Sequence, residues 1–418
     1  KRAEPSGVPS DDHTTFEGMA TKKVPVTILT GFLGSGKTTL LNHILEDGNH
    51  GLRFAIIENE FGDIGVDERI LSEKADEEVI EVMNGCICCT VRGDLVVALK
   101  KLHSKVSLFD AIIIETTGLA DPAPVAQTFF VDDEIQALYS LDGIITVVDA
   151  KHILARLDDE KPEGVENEAV EQVAFADRIL LNKTDLVEES ELAPIEERIK
   201  KINPTAAVLR TEQSKADPSK LIGISAFKLE KVLEMDPEFL NTEAEHEHDP
   251  SVSSTSTRFE GFLNVKKLKL WIDDIIGNYG ANLFRYKGVL SVAGMEKKFV
   301  FQGVGMLFSG EFIDTEWAPD ETRECRFVFI GRNLDKKALL DGFMACQCSG
   351  TLRFKVGDQV MAKVGRSSKA AGPDGYCLGT VIKEWDQGNA YRIELQDGNK
   401  TNVWGPIDED NFVKAAAA

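Results

Sequence analysis

Nine consecutive residues, Gly31-Phe32-Leu33-Gly34-Ser35-Gly36-Lys37-Thr38-Thr39, have the spacing of a phosphate cradle, G-x-x-x-x-G-K-[ST]. Gly31, Gly34 and Gly36 let backbone N–H groups turn inward, and a helix starting at Lys37 adds the positive end of its dipole. In such a cradle Lys37 reaches the β and γ phosphates, Ser35 lies in the binding loop, Thr38 offers its hydroxyl to Mg²⁺, and Thr39 can cap a phosphate beside it. A second cluster, Asn182-Lys183-Thr184-Asp185, directly follows the apolar run Ile179-Leu180-Leu181. A carboxylate there can accept from both N–H groups on guanine's Watson–Crick edge, whereas adenine would leave it unpaired, a difference worth about 10⁴-fold. Asn182, Lys183 and Asp185 are therefore read as selecting GTP over ATP. The third cluster, Glu115-Thr116-Thr117-Gly118, closes the run Ala111-Ile112-Ile113-Ile114. A strand-end carboxylate beside a phosphate loop can hold Mg²⁺ directly or through water, and Gly118 lets the backbone approach a γ-phosphate. Lys37, Thr38 and Glu115 form the expected catalytic set. The group that positions the attacking water is left open between Glu115 and the acids near Asn59-Glu60.

The fourth cluster is Gly85-Cys86-Ile87-Cys88-Cys89-Thr90. Cysteines two apart on an extended segment face the same side, so Cys86 and Cys88 can share one soft metal, with Cys89 or an acid completing the set. Thiolate chemistry favours Zn²⁺ or Cu(I). The chain has 7 cysteines, an odd number unevenly placed, which fits thiol or metal chemistry better than a disulfide framework. Cys346 and Cys348, with Cys325, could form a second metal group but are read first as structural thiols.

These clusters need a scaffold, and the alternation of short apolar runs with amphipathic ones supplies it. Strands are predicted at Val24–Thr30, Arg53–Glu58, Ala111–Glu115, Gly143–Asp149, Arg178–Asn182 and Ala206–Leu209. Helices are predicted at Lys37–Glu46, Asp94–Lys105, Val125–Phe130, Asn167–Ala176 and Leu192–Ile202. Such alternation means an α/β domain, a mostly parallel sheet covered by helices on both faces, with its ligand at the carboxyl ends of the strands. The expected division is a disordered lead-in at 1–21, the phosphate-loop domain at 22–235, an acidic and Ser-rich linker at 236–257, a small α+β domain at 258–350, and a small all-β barrel at 351–418. In the α+β domain, strands are read at Phe259–Val265, Leu283–Val292, Lys298–Gly305 and Arg326–Ile330, with helices at Leu268–Tyr279 and Lys336–Phe343. The barrel's five strands follow from Val360–Val364, Gly379–Lys383, Ala390–Leu395, Thr401–Trp404 and Asn411–Val413, separated by turn signals. Trp385, Tyr391 and Trp404 could line a groove there, but are read first as core.

With 418 residues and a formal net charge of −23, the chain argues against general nucleic-acid or anionic-membrane binding, because its summed field repels phosphates. No apolar run approaches the ~20 residues that span a bilayer, and residues 1 to 20 lack an apolar signal core, so a soluble, cytoplasmic protein is expected.

Five segments occur in the order and form of the CobW-type metallochaperone GTPases, which the chain closely resembles: Thr30 to Leu41, Glu58-Asn59-Glu60-Phe61-Gly62, Asn84 to Cys89, Glu115 to Pro122, and Asn182 to Asp185. The likeness continues in Leu283 to Gly288, Phe301 to Val304 and Phe329-Ile330-Gly331, covering roughly residues 22 to 348. It implies GTP hydrolysis, Zn²⁺-class metal at Cys86, Cys88 and Cys89 with Glu58 as an additional ligand, and delivery of that metal to client metalloproteins. Two departures stand out. The eukaryotic zinc-chaperone branch carries an N-terminal cysteine-containing docking motif for an aminopeptidase client, and no cysteine precedes Cys86, which argues against that client. The family's long His-rich loop is reduced to His246 and His248 among Glu245, Glu247 and Asp249, read here as a solvated acidic linker. The barrel lies outside the resemblance and is open to a protein or peptide partner. The alternative is a metal buffer or sensor whose barrel docks to a scaffold and which needs little GTP turnover.

Overall fold

The computed structural model describes residues 23–58, 91–162, 165–234, 252–280, 282–365 and 372–416. Among these, six parallel strands form the first sheet: β1 (Val24–Thr30), β2 (Phe54–Glu58), β3 (Ala111–Glu115), β4 (Tyr139–Asp149), β5 (Arg178–Asn182) and β6 (Ala207–Arg210), in the order β2-β3-β1-β4-β5-β6. The strands are apolar on both faces because both are covered. On one side α1 (Lys37–Glu46) lays Leu40, Leu41 and Ile44 against Leu29, Ile56, Ile113 and Val147. The other side carries α2 (Val91–His103), α3 (Ala123–Val131), α4 (Asp133–Leu138), α5 (Ile153–Leu157), α6 (Glu168–Phe175) and α7 (Glu189–Ile202). Strand β1 sits centrally with β3 on one flank and β4 on the other, so the loop leaving its carboxyl end opens at the switch point of the sheet, where such folds hold ligands.

β4 begins at Tyr139, earlier than the expected Gly143, because a bulge opposite Val26 and Thr27 accommodates Asp142 inside the strand. The Asp142 carboxylate accepts hydrogen bonds from the N–H groups of Gly223, Ile224 and Ser225 and from Thr27 Oγ1. A charge that would end an ordinary apolar strand is thus satisfied in place.

A second, antiparallel sheet contains β7 (Val252–Glu260), β9 (Leu283–Leu290), β10 (Lys297–Val304), β11 (Leu307–Glu316) and β12 (Glu324–Arg332), ordered β11-β10-β9-β12-β7. The short β8 (Phe262–Leu263) pairs with β13 (Gln347–Cys348), while α8 (Val265–Tyr279) and α9 (Lys336–Ala345) cover one face. Trp271, Phe327 and Phe343 form the centre of that core, with ring centroids 4.6 to 5.8 Å apart. Two expectations are corrected here. The Ser/Thr run from Val252 to Thr257 is strand, not linker: among the described residues β7 is an edge strand paired to β12 alone, and an edge tolerates polar side chains on its open face. Val265 starts a helix rather than closing a strand, because Asn264 caps it by accepting from the Lys266 and Lys267 N–H groups.

The two sheets share one core. Val252, Phe284, Val304, Val328 and Ile330 of the second unit belong to the same apolar cluster as Val173, Phe175 and Ala126 of the first, and the Phe175 and Phe284 rings lie 5.0 Å apart. Each fully buried side chain of this size contributes about 1.5–3 kcal/mol, so the units are seated on one another by several such residues.

The last five strands, β14 (Gln359–Lys363), β15 (Tyr376–Asp386), β16 (Asn389–Leu395), β17 (Asn402–Gly405) and β18 (Val413–Ala415), make an antiparallel sheet ordered β17-β16-β15-β14-β18 around Val360, Val381, Tyr391 and Ile393. It docks on the second unit: Asn264 Nδ2 donates to Pro406 O at 2.7 Å and Lys267 pairs with Glu409 at 2.6 Å. Gly294 allows this approach, since a Cβ there would lie 2.7 Å from that of Trp385. Tyr391 is core, Trp385 is seated against Gly294, and only Trp404 is largely exposed, with Arg392 stacked over its ring at 4.5 Å.

Candidate functional site

The phosphate loop owes its shape to two glycines. Gly31 has φ +140°, and a Cβ there would lie 2.1 Å from the Val147 carbonyl oxygen; Gly36 has φ +111°, and a Cβ would meet Asn182 Nδ2 and Ser214 Oγ, each at 2.5 Å. No other residue type fits either position. Gly36 also serves as the N-cap of α1, leaving the first N–H groups of that helix facing the loop. Lys37 is buried, and its Nζ donates to Gly31 O at 2.7 Å. Burial lowers its pKa, and the nearby Glu115 carboxylate works in the opposite direction. Ser35 is fully buried, and its hydroxyl has no hydrogen-bond partner among the described residues. A buried hydroxyl without a partner in a loop that no Cβ can enter is what an anion seated on the loop would satisfy. Gly34 in the loop and Thr39 in the first turn of α1 are both exposed.

Thr38 Oγ1 donates to Glu115 Oε1 at 3.0 Å. The start of α1 and the end of β3 therefore present two hard oxygen donors side by side, a set that fits Mg²⁺. Gly118, three residues beyond the strand end at Glu115, packs directly on the loop: a Cβ there would lie 2.5 Å from the Leu33 N atom.

The tetrad after β5 is wired to this loop. Asn182, buried, donates through Nδ2 to Ser35 O at 2.9 Å and to Ser214 Oγ at 2.8 Å, and accepts from the Ser214 N–H at 2.7 Å and from Thr211 Oγ1 at 3.2 Å. Lys183, in the left-handed region at φ 61°, donates to Gly34 O and to Asp149 Oδ2, both at 2.7 Å. Asp185 is exposed, and no described residue pairs with its carboxylate, which leaves it free to accept from a base.

Three site residues escape the sequence reading. Asp149 closes β4, as Glu115 closes β3, and the same strand-end logic could have found it. Burial alone would raise its carboxyl, but hydrogen bonds from Lys183 and His152 hold it below the ordinary value. Ser214, whose hydroxyl donates to Gly36 O at 2.9 Å, carries no local signal. Gln172 of α6 donates to the Gly118 and Ala120 carbonyls, both at 3.2 Å, and is visible only in three dimensions.

Cys86, Cys88, Cys89 and Glu60 lie outside the described residues, as do His246 and His248; for Glu58 only the backbone is described, paired with Glu115 across β2 and β3. Among the described residues no group of three or more His, Cys, Asp or Glu could hold a metal ion. The thiols of the second unit behave as packing groups: burial pushes Cys325 and Cys346 up to about 12 and Cys348 up to about 11, far from the thiolate a metal needs. Among the described residues no helix is long and apolar enough to cross a membrane.

A glycine phosphate loop on a parallel sheet, a strand-end carboxylate and an Asn-Lys-x-Asp tetrad tied to the loop define a P-loop GTPase. Residues 25–210 match the CobW/HypB/UreG nucleotide-binding domain, and residues 252–347 match the cobalamin synthesis protein CobW C-terminal domain. The zinc chaperone YjiA of Escherichia coli is 37% identical over 325 residues, spanning 77% of this chain and 98% of the relative. The zinc-regulated GTPase metalloprotein activator 1 of Schizosaccharomyces pombe is 44% identical over 210 residues, 49% of this chain and 50% of that one. The crystal structure of Zn(II)-bound YjiA superposes with a TM-score of 0.62 at 31% identity, covering 78% of this chain and 99% of the other. The chain belongs to the CobW/HypB/UreG family.

Proposed function

We propose that this chain is a GTP-hydrolysing metallochaperone that takes Zn²⁺, or a related transition metal, as cargo at Cys86, Cys88 and Cys89 with Glu58, and hands it to client metalloproteins. The observation that carries the GTPase half is the wiring of tetrad to loop: Asn182 to Ser35 and Lys183 to Gly34 join base reading and phosphate binding in one site. Lys37, with Gly31, Gly34, Ser35, Gly36 and Thr39, would hold the phosphates; Asp185 would read guanine; Gly118 would sit against the γ-phosphate. Thr38 and Glu115 would hold Mg²⁺, which when bound neutralises charge between the β and γ phosphates. The cargo half is supported by the thiol motif and by the zinc chaperones and the Zn(II)-bound structure among the relatives.

The strand pairing of Glu58 with Glu115 gives a path for coupling, since β2 leads to the thiol segment and β3 ends at the Mg²⁺ pair. A working switch needs about 1–3 kcal/mol of coupling, or 5- to 150-fold in affinity, and linkage makes Zn²⁺ shift nucleotide binding by the same factor. Titrating Zn²⁺ against the protein loaded with GDP and with a non-hydrolysable GTP analogue measures this. Equal affinities in the two states would sink the switch, and a Cys88→Ser variant that keeps full Zn²⁺ content would sink the cargo site.

A further inference from the structure

α6 stands between the nucleotide loop and the second unit. All seven residues from Ala169 to Phe175 are buried, and two adjacent ones point in different directions. Gln172 turns to the nucleotide side, where its amide nitrogen faces the carbonyls of Gly118 and Ala120. Glu171 turns to the second unit and accepts from Arg332 Nη2 at 3.1 Å, while Arg332 Nη1 donates to Glu166. The guanidinium is fixed from behind by the Phe284 ring, 5.4 Å away, and the charge of Asp121, which accepts the Ala123 N–H at 2.8 Å at the start of the helix following the Gly118 loop, also acts on it. Arg332 thus hydrogen-bonds two acidic side chains, Glu166 and Glu171, with the charge of Asp121 nearby; Asp121 follows the loop itself and Glu171 belongs to the helix that grips it.

We propose that Arg332 of the second unit is a positioning residue for the nucleotide site: through Glu171 and Gln172 it sets where the Gly118–Ala120 loop lies against the phosphate loop, so the seating of the second unit and the preference for GTP over GDP are coupled. Eight helical residues move as one body, so a displacement at Glu171 is delivered to Gln172. The orientation of the Gln172 amide is set by its two carbonyl partners, and its Oε1 is buried without a donor among the described residues. A loop position that brought a loop N–H to this acceptor would satisfy it, and exchange between the two positions is the two-state element the proposed coupling uses. GDP has no γ-phosphate to meet Gly118, so the coupling acts on GTP alone.

The inference rests on the GTPase reading, and one set of measurements separates the two. Affinities for GDP and for a non-hydrolysable GTP analogue, with steady-state kcat and KM for GTP, are measured on the full chain carrying Arg332→Ala, Arg332→Lys, Gln172→Ala and the Arg332→Ala/Gln172→Ala pair. Arg332→Ala is expected to lower the analogue-to-GDP affinity ratio about tenfold with GDP affinity held within about twofold, Arg332→Lys to recover much of the loss, and the pair to be no worse than Gln172→Ala alone. Should Arg332→Ala fail to fold, Arg332→Lys decides, with an expected two- to threefold fall in the same ratio. Equal weakening of both nucleotides, or multiplicative losses in the pair, overturns the coupling and leaves Arg332 as an interface ion pair. A wild-type chain that binds no guanine nucleotide overturns the GTPase reading instead.

Discussion

Asn182 Nδ2 donates to the main-chain carbonyl of Ser35 across 2.9 Å, binding the carboxyl end of β5 to the phosphate loop that follows β1. The same side chain accepts from Ser214, whose hydroxyl returns to Gly36. Loop, tetrad and the segment after β6 therefore form one closed hydrogen-bonded ring, and the site is preorganised before any ligand arrives.

Lys37 is the one cation buried in the loop, among the described residues, within reach of Glu115. Lys37→Ala is expected to lower GTP turnover by about 10²- to 10³-fold, the usual loss when a donor aimed at developing phosphate charge is removed. Phosphate release under single-turnover conditions checks this, and wild-type rates in the variant would refute it.

Asp185 offers two carboxylate oxygens to solvent at the tetrad. Asp185→Asn replaces one acceptor with a donor, which no longer matches guanine but does match xanthine. GTP affinity is expected to fall by about 10²-fold or more while xanthosine triphosphate gains, read by competition between the two nucleotides.

Asp177 sits between Arg285 and Lys287 where the first two units meet, and Arg285 is only 2% exposed. Asp177→Ala leaves the buried Arg285 and the part-buried Lys287 without their carboxylate and should cost about 3–5 kcal/mol in urea unfolding. Replacing all three together by apolar residues of similar volume should cost less than that single change, because the burial of unpaired charge is then removed.

Burial, together with the charges of Asp121 and Glu168, pushes Glu171 from 4.5 up to about 8. The folded chain therefore binds more protons at this site than the unfolded chain between those pH values, and Glu171's contribution to stability declines as pH rises through that window. Glu171→Gln removes the titration. The melting temperature of the variant relative to wild type should climb from pH 5 to pH 8, and a flat difference would contradict the assignment.

Local chemistry was the readable part. β1, α1, β3 and β5 begin and end at the residues expected, because the glycines, the apolar runs and the strand-end carboxylates announce them within a few positions. β11 was not read at all: its sequence, Leu307 to Glu316, alternates weakly and exposes most of its side chains at a sheet edge. β7 was hidden by its Ser and Thr content for the same reason. Asp149, Ser214, Gln172 and Arg332 act through partners far away in sequence, and such contacts leave no mark on any one stretch. The order of the three units could be anticipated, but not that the first two share a core.

That shared core bears on how the chain is made. Phe175 leaves the ribosome roughly 150 residues ahead of Ile330, which at about 5–20 residues per second is on the order of 10 to 30 s. For about the first two thirds of that interval the apolar face around Val173 and Phe175 has no Phe284 to cover it, and until its end it lacks Ile330. The nascent GTPase half is thus a natural client for a holdase while it waits, and a chain truncated before β12 emerges with part of that apolar face open to water.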